Sequence, residues 1–300
     1  MNPVTVEDWQ RLEASGGMVD LSRCVKLQLT GPDALRYLNG QVSNDVRRIA
    51  DGATMPACIC THKGKLEAFV QIARSGDRFL ITADEALRDF LPLRLEKYLI
   101  ADDAVLSDVT EEYDLVHVFG PHPAPAGMVI AARRMGLPGS DVWMPRGAAH
   151  GLVFTEPALI EALRIDRGIP AWDSELAGGI LPPEARLDES AIDYHKGCYT
   201  GQEVISRLRS VGQVNRRLDR FTVPQGTVEA GWPIVIRHED GTFTNAGTIT
   251  SAAWHPLRQE GIALGFLKRS SAGAPLLAMA PGGEPADAVE IRKPLDDAKP

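Results

Sequence analysis

The stretch KGCYTGQEVISRLRSVGQVNRRL, from Lys196 to Leu218, decides how this sequence is interpreted. Thr200 and Glu203 have the spacing of a capping box, in which each side chain satisfies a free backbone N–H at the start of a helix. The apolar residues Val204 and Leu208 follow at helical spacing. The pattern predicts a helix with Thr200 as its N-cap, and on this evidence alone Glu203 is a cap as readily as a ligand-binding residue.

Cys198 lies two residues before this predicted N-cap. The positive end of the helix dipole, together with Lys196 and His195, favours the thiolate form of the cysteine, which is the nucleophile and the metal ligand. Gly197 and Gly201 flank it and indicate a backbone that needs an unusual φ angle or a close approach by another group. We predict a reactive thiol, and a small buried turn residue is the alternative.

The same stretch is basic in an acidic chain. Residues 195–220 contain six lysines and arginines against two acidic residues, whereas the whole chain of 300 residues carries a net charge of −8. A few arginines suffice to bind the carboxylates or phosphates of a small ligand, whereas sequence-independent nucleic-acid binding needs many phosphate contacts. We therefore predict a small anionic ligand and no direct binding of nucleic acid, with a solvated helix face as the alternative.

The overall composition is that of a globular protein, with 44% hydrophobic and 24% charged residues. The sequence contains no apolar run of the roughly 20 residues that span a bilayer and no basic-then-apolar leader, so we predict a cytoplasmic protein without membrane contact. The cysteines have no two-residue spacer of the zinc or redox type. Cys58 and Cys60, in the run ACIC, are predicted to be core residues of a strand and not metal ligands.

The chain shows an α+β pattern with two parts. The sequence predicts a β-turn-α unit over residues 26–46, a hairpin over 66–82, a helix over 156–167 and a long loop from there to about 188. Residues 121–140 are dense in Pro and Gly and are predicted to be a loop around one short helix. After residue 220, short alternating runs are separated by turns, including Asp240-Gly241, which predicts a small all-β module.

The motif KGCYTGQE followed by R-x-R-x-x-G-x-x-x-R-R-L resembles the signature of the YgfZ family of folate-binding proteins, relatives of the T-protein (aminomethyltransferase) of the glycine cleavage system. LTGPDALRYLNGQVSNDV, RIDRGIPAW and GTITSAAW…IALGFLKR are similar to other segments of that family. The resemblance implies a GcvT-like folate-binding core of three subdomains around a central hole, here residues 1–219, and a small C-terminal β-barrel with a tail, residues 220–300. It also implies tetrahydrofolate as the ligand and a role in assembling or repairing iron–sulfur clusters of client enzymes, including enzymes that modify tRNA.

The resemblance also assigns site residues. It implies that Cys198 and Lys196 are the catalytic residues, because the family's activity is thought to depend on the cysteine. It implies no metal ligand. Glu184 resembles the glutamate with which T-proteins bind the pterin ring, and the basic residues would face the glutamate tail of the folate. The predicted folate-binding residues are Glu184, Tyr199, Gln202, Glu203, Arg207, Arg209, Arg216 and Arg217.

Two departures from the T-protein pattern bear on the reaction. The T-protein segment resembles K-G-D-F-x-G, with an acid where this chain has Cys198. T-proteins also carry an aspartate in a segment that aligns with KGKLEAFV. In this chain the acid nearest to that position is Glu67. We therefore rank the hypotheses in this order: an iron–sulfur maintenance factor that uses folate and Cys198, a non-catalytic folate-binding adaptor, and a folate-dependent one-carbon transferase or demethylase.

Overall fold

The structure is a computed structural model that describes residues 4–210, 212–271, 273–284 and 287–293. The α-helices within these residues are α1 (Val6–Ser15), α2 (Ala34–Gln41), α3 (Leu91–Glu96), α4 (Pro157–Asp166) and α5 (Gln202–Ser210). The strands are β1 (Gly17–Asp20), β2 (Val25–Thr30), β3 (Thr54–Cys60), β4 (Leu66–Ser75), β5 (Arg78–Ala83), β6 (Val105–Asp108), β7 (Tyr113–Phe119), β8 (Met128–Ala132), β9 (Gly139–Pro145), β10 (Arg216–Val223), β11 (Pro233–Arg237), β12 (Phe243–His255), β13 (Glu260–Lys268), β14 (Leu276–Ala278) and β15 (Val289–Ile291). Short 3-10 turns cover Val46–Arg48, Glu85–Leu87, Pro182–Ala185, Leu187–Glu189 and Arg269–Ser271.

The first sheet has five antiparallel strands in the order β3-β4-β5-β2-β6. β4 alternates buried and half-buried residues along most of its length, as expected of a strand with one face on a core. β4 and β5 pair out to Ser75 and Arg78, which confirms the predicted hairpin. Leu38 of α2 and Leu95 of α3 join the apolar cluster on one face of the sheet, so these helices cover it. β2 and α2 form the β-turn-α unit that the sequence predicts.

The second sheet has four antiparallel strands in the order β1-β7-β9-β8. Its β8 strand corrects the prediction of a loop around one short helix over residues 121–140. Met128 to Ala132 pair with Trp143 to Gly139 of β9, and the alternate residues Ile130 and Ala132 are buried. Antiparallel pairing with β9, the next strand along the chain, satisfies the backbone groups of this segment, whereas its Pro and Gly content indicated only the turns around it.

The third sheet has six antiparallel strands in the order β10-β13-β12-β11-β14-β15. Thr222 of β10 and Arg292, just after β15, exchange two backbone hydrogen bonds of 2.8 and 2.9 Å, so the sheet curls until its two edge strands meet. The β11–β12 hairpin turns at Asp240-Gly241, as predicted, with Gly241 at φ 82°. β10 begins at Arg216 and so spans the predicted boundary between residues 219 and 220, which stays a prediction.

Helix α4 and the segment that follows it are tied to the third sheet by a buried ion pair. α4 ends at Asp166, within one residue of the predicted helix end. The Arg164 guanidinium donates to Glu175 over 2.8 Å and to the Ser251 hydroxyl of β12 over 2.7 Å, and the Glu175 side chain is fully buried. This contact fixes the path of the long segment between α4 and the Pro182–Ala185 turn. No helix among the described residues is long and apolar enough to cross a membrane.

Candidate functional site

Helix α5 begins one residue later than the sequence predicts. Its first residue is Gln202, and the Ile205 N–H donates to the carbonyl of Gly201, which precedes the helix at φ 88°. The Thr200 N–H donates to the carbonyl of Gly40 at the end of α2, and the Glu203 carboxylate pairs with Arg207 on the exposed face of α5. The predicted capping box is therefore wrong, because contact with α2 holds Thr200 outside the helix.

The two glycines beside Cys198 have different roles. A Cβ at Gly201 would lie 2.4 Å from the carbonyl oxygen of Thr61 and 3.1 Å from the Cα of Gly64, so the loop after β3 approaches this backbone closely. Together with the positive φ angle, this confirms the prediction for Gly201. A Cβ at Gly197 would meet nothing within 4 Å, and the prediction for Gly197 is wrong.

Cys198 is exposed on the protein surface. The alternative of a small buried turn residue is therefore wrong. The thiol lies on a loop in which His195 and Gly197 are exposed as well. A side chain in this position is open to a thiol, a metal ion or a protein partner, and its predicted reactivity stays a prediction.

The ammonium group of Lys196 is buried and hydrogen-bonded, and it is not a free cation next to the thiol. The Lys196 side chain is buried, and Nζ donates to the carbonyl oxygens of Asn39 (2.8 Å), Val42 (2.7 Å) and Asn44 (2.6 Å). These carbonyls lie at and beyond the carboxyl end of α2, where a cation complements the helix dipole. Burial lowers the pKa of Lys196 to about 8. All three N–H donors of an ammonium are used, so the predicted catalytic position of Lys196 is corrected to a structural one.

Tyr199 and Gln202 are predicted ligand-binding residues that the structure directs into the protein. Tyr199 is buried in an apolar cluster with Cys58, Cys60 and Ile205. The Gln202 side-chain amide donates to the carbonyl of Lys196 and so closes its own turn. Neither residue lines the small pocket or the large cavity described below. In this structure both side chains hold the loop in place, and their assignment to the folate site stays a prediction.

The predicted basic cluster is largely paired. Arg209 lies over the Tyr194 ring at 4.1 Å, and Arg217 pairs with Asp188 and Glu189. Arg207 pairs with Glu203 on α5. Counting charges along residues 195–220 missed these partners, because two of the carboxylates come from the turn at residues 187–189. The predicted surplus of positive charge is therefore partly neutralised by ion pairs, and its role in binding an anionic ligand stays a prediction.

Glu184 and Arg216 meet at the wall of a pocket, which we call the small pocket. Arg216 Nη2 lies 3.2 Å from a carboxylate oxygen of Glu184, and its guanidinium lies 4.6 Å from the centre of the Phe266 ring. The pocket has a volume of about 840 Å³. Its other lining residues are Lys65, Gly179, Asn215, Lys268, Arg269 and Ser270.

A second and larger space, the large cavity, has a volume of about 1400 Å³ and is lined by residues of all three sheets. The first sheet contributes Thr54, Pro56, Phe69 and Gln71, the second Ala131, Ala132 and Gly139, and the third Leu218, Asp219, Arg220 and Leu264. The segments after α4 and around Arg186 complete the wall. None of the ten predicted site residues lines this cavity.

Arg134 on the wall of the large cavity is held by a buried acidic residue. Its guanidinium donates to both carboxylate oxygens of Asp141 over 2.8 to 3.0 Å and to the Thr82 hydroxyl over 2.7 Å. His117 Nδ1 lies 2.9 Å from Asp141 on the other side. Burial by itself raises the pKa of Asp141, but the charge of Arg134 and the His117 hydrogen bond outweigh burial and hold that pKa below its usual value. Asp141 therefore stays ionised and fixes Arg134 in the wall.

Arg186 is a second cavity residue that sequence reasoning missed. It has φ 60°, in the left-handed region that non-glycine residues avoid, and such positions occur often at binding sites. Its Nε donates to the carbonyl of Leu218 over 2.7 Å, and its Nη2 pairs with Asp219. The only sequence sign was its place in LPPEARLD, next to the predicted Glu184.

The cavity wall carries more positive than negative charge. Arg133 and Arg167 are exposed and have no carboxylate within ion-pair distance among the described residues, and Arg220 donates to the backbone carbonyl of Asp166. The half-buried Phe69 supplies apolar surface, and Gln71 supplies an amide. Such a wall suits a ligand with a flat aromatic part, hydrogen-bonding edges and carboxylates.

The described residues offer no metal centre. They contain no group of three or more His, Cys, Asp or Glu side chains that would hold a metal ion. Cys58 and Cys60 are buried in the apolar cluster below α5, which confirms their prediction as core residues. Burial raises the pKa of Cys60 to about 12, so this thiol stays protonated at neutral pH.

Comparisons with known proteins agree with this fold. The family model "GCVT N-terminal domain" matches residues 1–126. The solved structure of glycine cleavage system aminomethyltransferase T from Bartonella henselae superposes with a TM-score of 0.79 at 15% sequence identity, over 96% of this chain and 87% of that chain. The chain therefore has the GcvT-like fold of mixed helices and sheets, with a curled sheet.

Comparison with curated sequences identifies relatives that share a name. The chain is 26% identical over 256 residues to the "tRNA-modifying protein YgfZ" of Escherichia coli O157:H7, which covers 75% of this chain and 77% of the relative. It is 27% identical, with the same coverage, to the protein of that name from Klebsiella pneumoniae. The chain is therefore similar to YgfZ proteins in sequence and to a GcvT-type protein in fold, in agreement with the resemblance carried by the KGCYTGQE motif.

Proposed function

We propose that this protein binds tetrahydrofolate in the large cavity and supports the assembly or repair of iron–sulfur clusters in client enzymes, including enzymes that modify tRNA. The observation that carries the proposal is the large cavity itself, which is lined by all three sheets of a GcvT-like fold. The name of the curated relatives supports the link to tRNA modification. A role on client enzymes fits an acidic protein that has no predicted nucleic-acid track.

The residues of the large cavity fit the chemistry of the ligand. Tetrahydrofolate has a hydrogen-bonding pterin, an aromatic linker and a glutamate with two carboxylates. The half-buried Phe69 supplies apolar contact for the rings, and Gln71 supplies a donor and an acceptor. Arg134, held by Asp141, has an Nη1 group that makes no hydrogen bond within the described part of the chain. Bound folate would supply one-carbon or electron-donating chemistry, and the protein's part is to hold and orient it.

Glu184 is proposed to bind the pterin ring on the basis of the family likeness. Its carboxylate borders the small pocket and pairs with Arg216, whereas the next residue, Ala185, lines the large cavity. A ligand that reaches Glu184 therefore has to share its carboxylate with Arg216. Replacing Arg216 by Ala tests this arrangement, because loss of the pair frees both oxygens of Glu184.

Cys198 is proposed to act on the surface as a transient ligand or sulfur carrier for the client enzyme. Its exposure and the open space around Gly197 allow a partner to approach the sulfur. The next residue, Tyr199, is buried, so the loop is anchored while the thiol remains outside. This arrangement suits exchange with another protein better than chemistry inside the cavity.

The one-carbon transferase is the weaker alternative. Glu67, the acid nearest to the aligned T-protein aspartate, accepts a 2.7 Å hydrogen bond from Arg94, whose side chain is buried. Arg94 also donates to Gln41 and to the carbonyl of Cys60, so it is fixed in place. A carboxylate held in this way is a poor candidate for proton transfer to a substrate.

The experiment is a complementation assay in a strain that lacks its own homologue. Wild type, Cys198→Ser and Cys24→Ser are expressed at equal levels, and the activity of a cluster-dependent tRNA-modifying enzyme is measured. We expect Cys198→Ser to lose most of the support and the control variant to retain it. Full support by Cys198→Ser would remove the thiol from the proposal.

A further inference from the structure

We infer that the outer face of helix α3 and the turn after it form a docking surface for a basic amphipathic helix of another protein. This α3 surface consists of Phe90, Leu93, Tyr98 and Ile100, which are between 40% and 87% exposed. Exposed apolar side chains are ordinarily scattered singly, whereas a contiguous group marks an interaction site. The inference goes beyond the proposed function, because it requires neither folate nor Cys198.

The inner face of α3 is fixed to the first sheet, so the α3 surface is preformed. Leu95 is fully buried in the core of that sheet, and the Tyr37 hydroxyl of α2 donates to its carbonyl. The buried Arg94, which donates to Glu67 over 2.7 Å, also lies 4.5 Å from the centre of the Tyr98 ring. A partner therefore meets an ordered surface, and little conformational entropy is lost in ordering it on binding.

The geometry of the α3 surface fits a helical partner. Phe90 directly precedes α3 with helical backbone angles, and Leu93 follows three residues later, so the two side chains are neighbours on the helix surface. Ridges of this kind pack into the grooves of a second helix, whose own apolar anchors recur every three or four residues. A strand partner would need free backbone groups, but the carbonyls of Phe90 and Leu93 already accept from the N–H groups of Arg94 and Lys97.

Charge favours a basic partner over a second copy of this chain. The exposed charged residues of the segment 89–103 are Asp89, Glu96 and Asp103 against the single cation Lys97. None of the three carboxylates has a cation at ion-pair distance within the described part of the chain. A twofold contact between two copies would bring the same excess of carboxylates together from both sides, which is unfavourable. Lysines and arginines that flank the apolar face of a partner helix would pair with them instead.

The test uses two fluorescein-labelled synthetic helical peptides of about 18 residues, one built from Leu and Lys and the other from Leu and Glu. Dissociation constants are measured by fluorescence anisotropy at physiological salt. We expect the wild-type protein to bind the Leu/Lys peptide at least about tenfold more tightly than the Leu/Glu peptide. Asp89→Asn with Glu96→Gln should weaken binding of the Leu/Lys peptide at least about threefold.

A matched pair of double variants locates the binding site without changing the charge. Leu93→Ser with Ile100→Ser removes two side chains of the α3 surface and is expected to weaken binding of the Leu/Lys peptide at least about tenfold. The control is Val129→Ser with Val153→Ser, which replaces apolar residues that are 52% and 86% exposed outside the α3 surface. This control should keep the wild-type affinity, because attraction to the acidic chain as a whole is the same in both variants.

Three results would overturn the inference: no binding of the Leu/Lys peptide to the wild type, equal binding of the two peptides, or equal affinity of the two double variants. Sedimentation velocity tests the other occupant. A wild-type dimer that Leu93→Ser with Ile100→Ser converts to a monomer would assign the α3 surface to a second copy and overturn the inference as well.

Discussion

The ammonium group of Lys196 donates to the carbonyl oxygen of Val42 over 2.7 Å, so the residue two positions before the exposed Cys198 closes the carboxyl end of helix α2. Two further carbonyls, of Asn39 and Asn44, complete the contact. The KGC motif thus has a buried anchor and an exposed thiol two residues apart. Its lysine serves the fold, and its cysteine is exposed.

Replacing Lys196 by Met should destabilise the protein. The substitution leaves three carbonyl oxygens without their donor, and we expect the free energy of unfolding to fall by about 3 kcal/mol. Urea denaturation, monitored by circular dichroism, measures the free energy of unfolding. Lys63→Met, at an exposed position in the loop after β3, is the control and should change the stability by less than about 0.5 kcal/mol. Equal stability of Lys196→Met and wild type would contradict the anchoring role.

The glycines beside Cys198 give a matched pair of variants. Gly201→Ala places a Cβ 2.4 Å from the Thr61 carbonyl oxygen at φ 88°, and we expect a loss of about 3 kcal/mol. Gly197→Ala adds a Cβ in open space and should cost less than about 0.5 kcal/mol. Thermal denaturation of both variants tests the difference. A Gly201→Ala protein as stable as Gly197→Ala would show that the backbones of these two loops do not meet.

The buried ion pair between Arg164 and Glu175 gives a third prediction. Glu175 accepts hydrogen bonds from Arg164, from the Ala171 N–H and from the hydroxyls of Thr250 and Ser251. Glu175→Gln places an amide N–H group among these donors and leaves Arg164 with only the half-exposed Glu161 as a charge partner. We expect a loss of about 3 kcal/mol.

The control is Glu161→Gln, because Glu161 also pairs with Arg164 but is half exposed. This variant should lose less than about 1 kcal/mol in the same urea titration. Similar losses in the two variants would show that the buried contact to the third sheet contributes no more than the exposed one.

His255 makes the stability depend on pH. Burial lowers its pKa below 6.5, and its Nδ1 accepts a hydrogen bond from the Arg258 N–H, which only the neutral ring can do. As the pH falls through 6.5, the unfolded chain takes up a proton while the folded chain does not, so stability falls with pH.

Comparison with His255→Gln isolates this effect. The difference in unfolding free energy, wild type minus variant, should decrease steadily from about pH 7.5 to about pH 5. Glu13, Asp166 and Glu260 also face this ring and are kept in both proteins. A difference that is constant over this range, or that increases on acidification, would show that His255 is protonated as easily in the folded state as in the unfolded state.

The sequence predicted the local elements well because they depend on local patterns. Alternation predicted the hairpin of β4 and β5, and Asp240-Gly241 predicted the β11–β12 turn. The sequence misplaced the start of α5. The spacing of Thr200 and Glu203 cannot show that the Thr200 N–H donates to the carbonyl of Gly40. The sequence also misassigned β8, whose partner strand β9 lies beyond a Pro- and Gly-rich connection.

The site was harder to predict because it is assembled from distant segments. Thr54, Ala131 and Leu218 line one cavity, although about 80 residues separate each from the next. The partners of Arg217, Asp188 and Glu189, lie outside the segment in which charge was counted. A motif therefore indicated the family likeness and Cys198, whereas the cavity proposed as the binding site depends on tertiary structure.

The central claim is that tetrahydrofolate binds in the large cavity, and filling that cavity tests it most directly. Ala131 is an exposed residue of β8 on the cavity wall, and Val129 lies on the same face of that strand outside the cavity. The dissociation constant of tetrahydrofolate is measured for wild type, Ala131→Trp and Val129→Trp. We expect wild type and Val129→Trp to bind tetrahydrofolate with similar affinity. We expect Ala131→Trp to lose affinity at least about tenfold. Absence of binding to the wild type, or equal affinity of all three proteins, would contradict it.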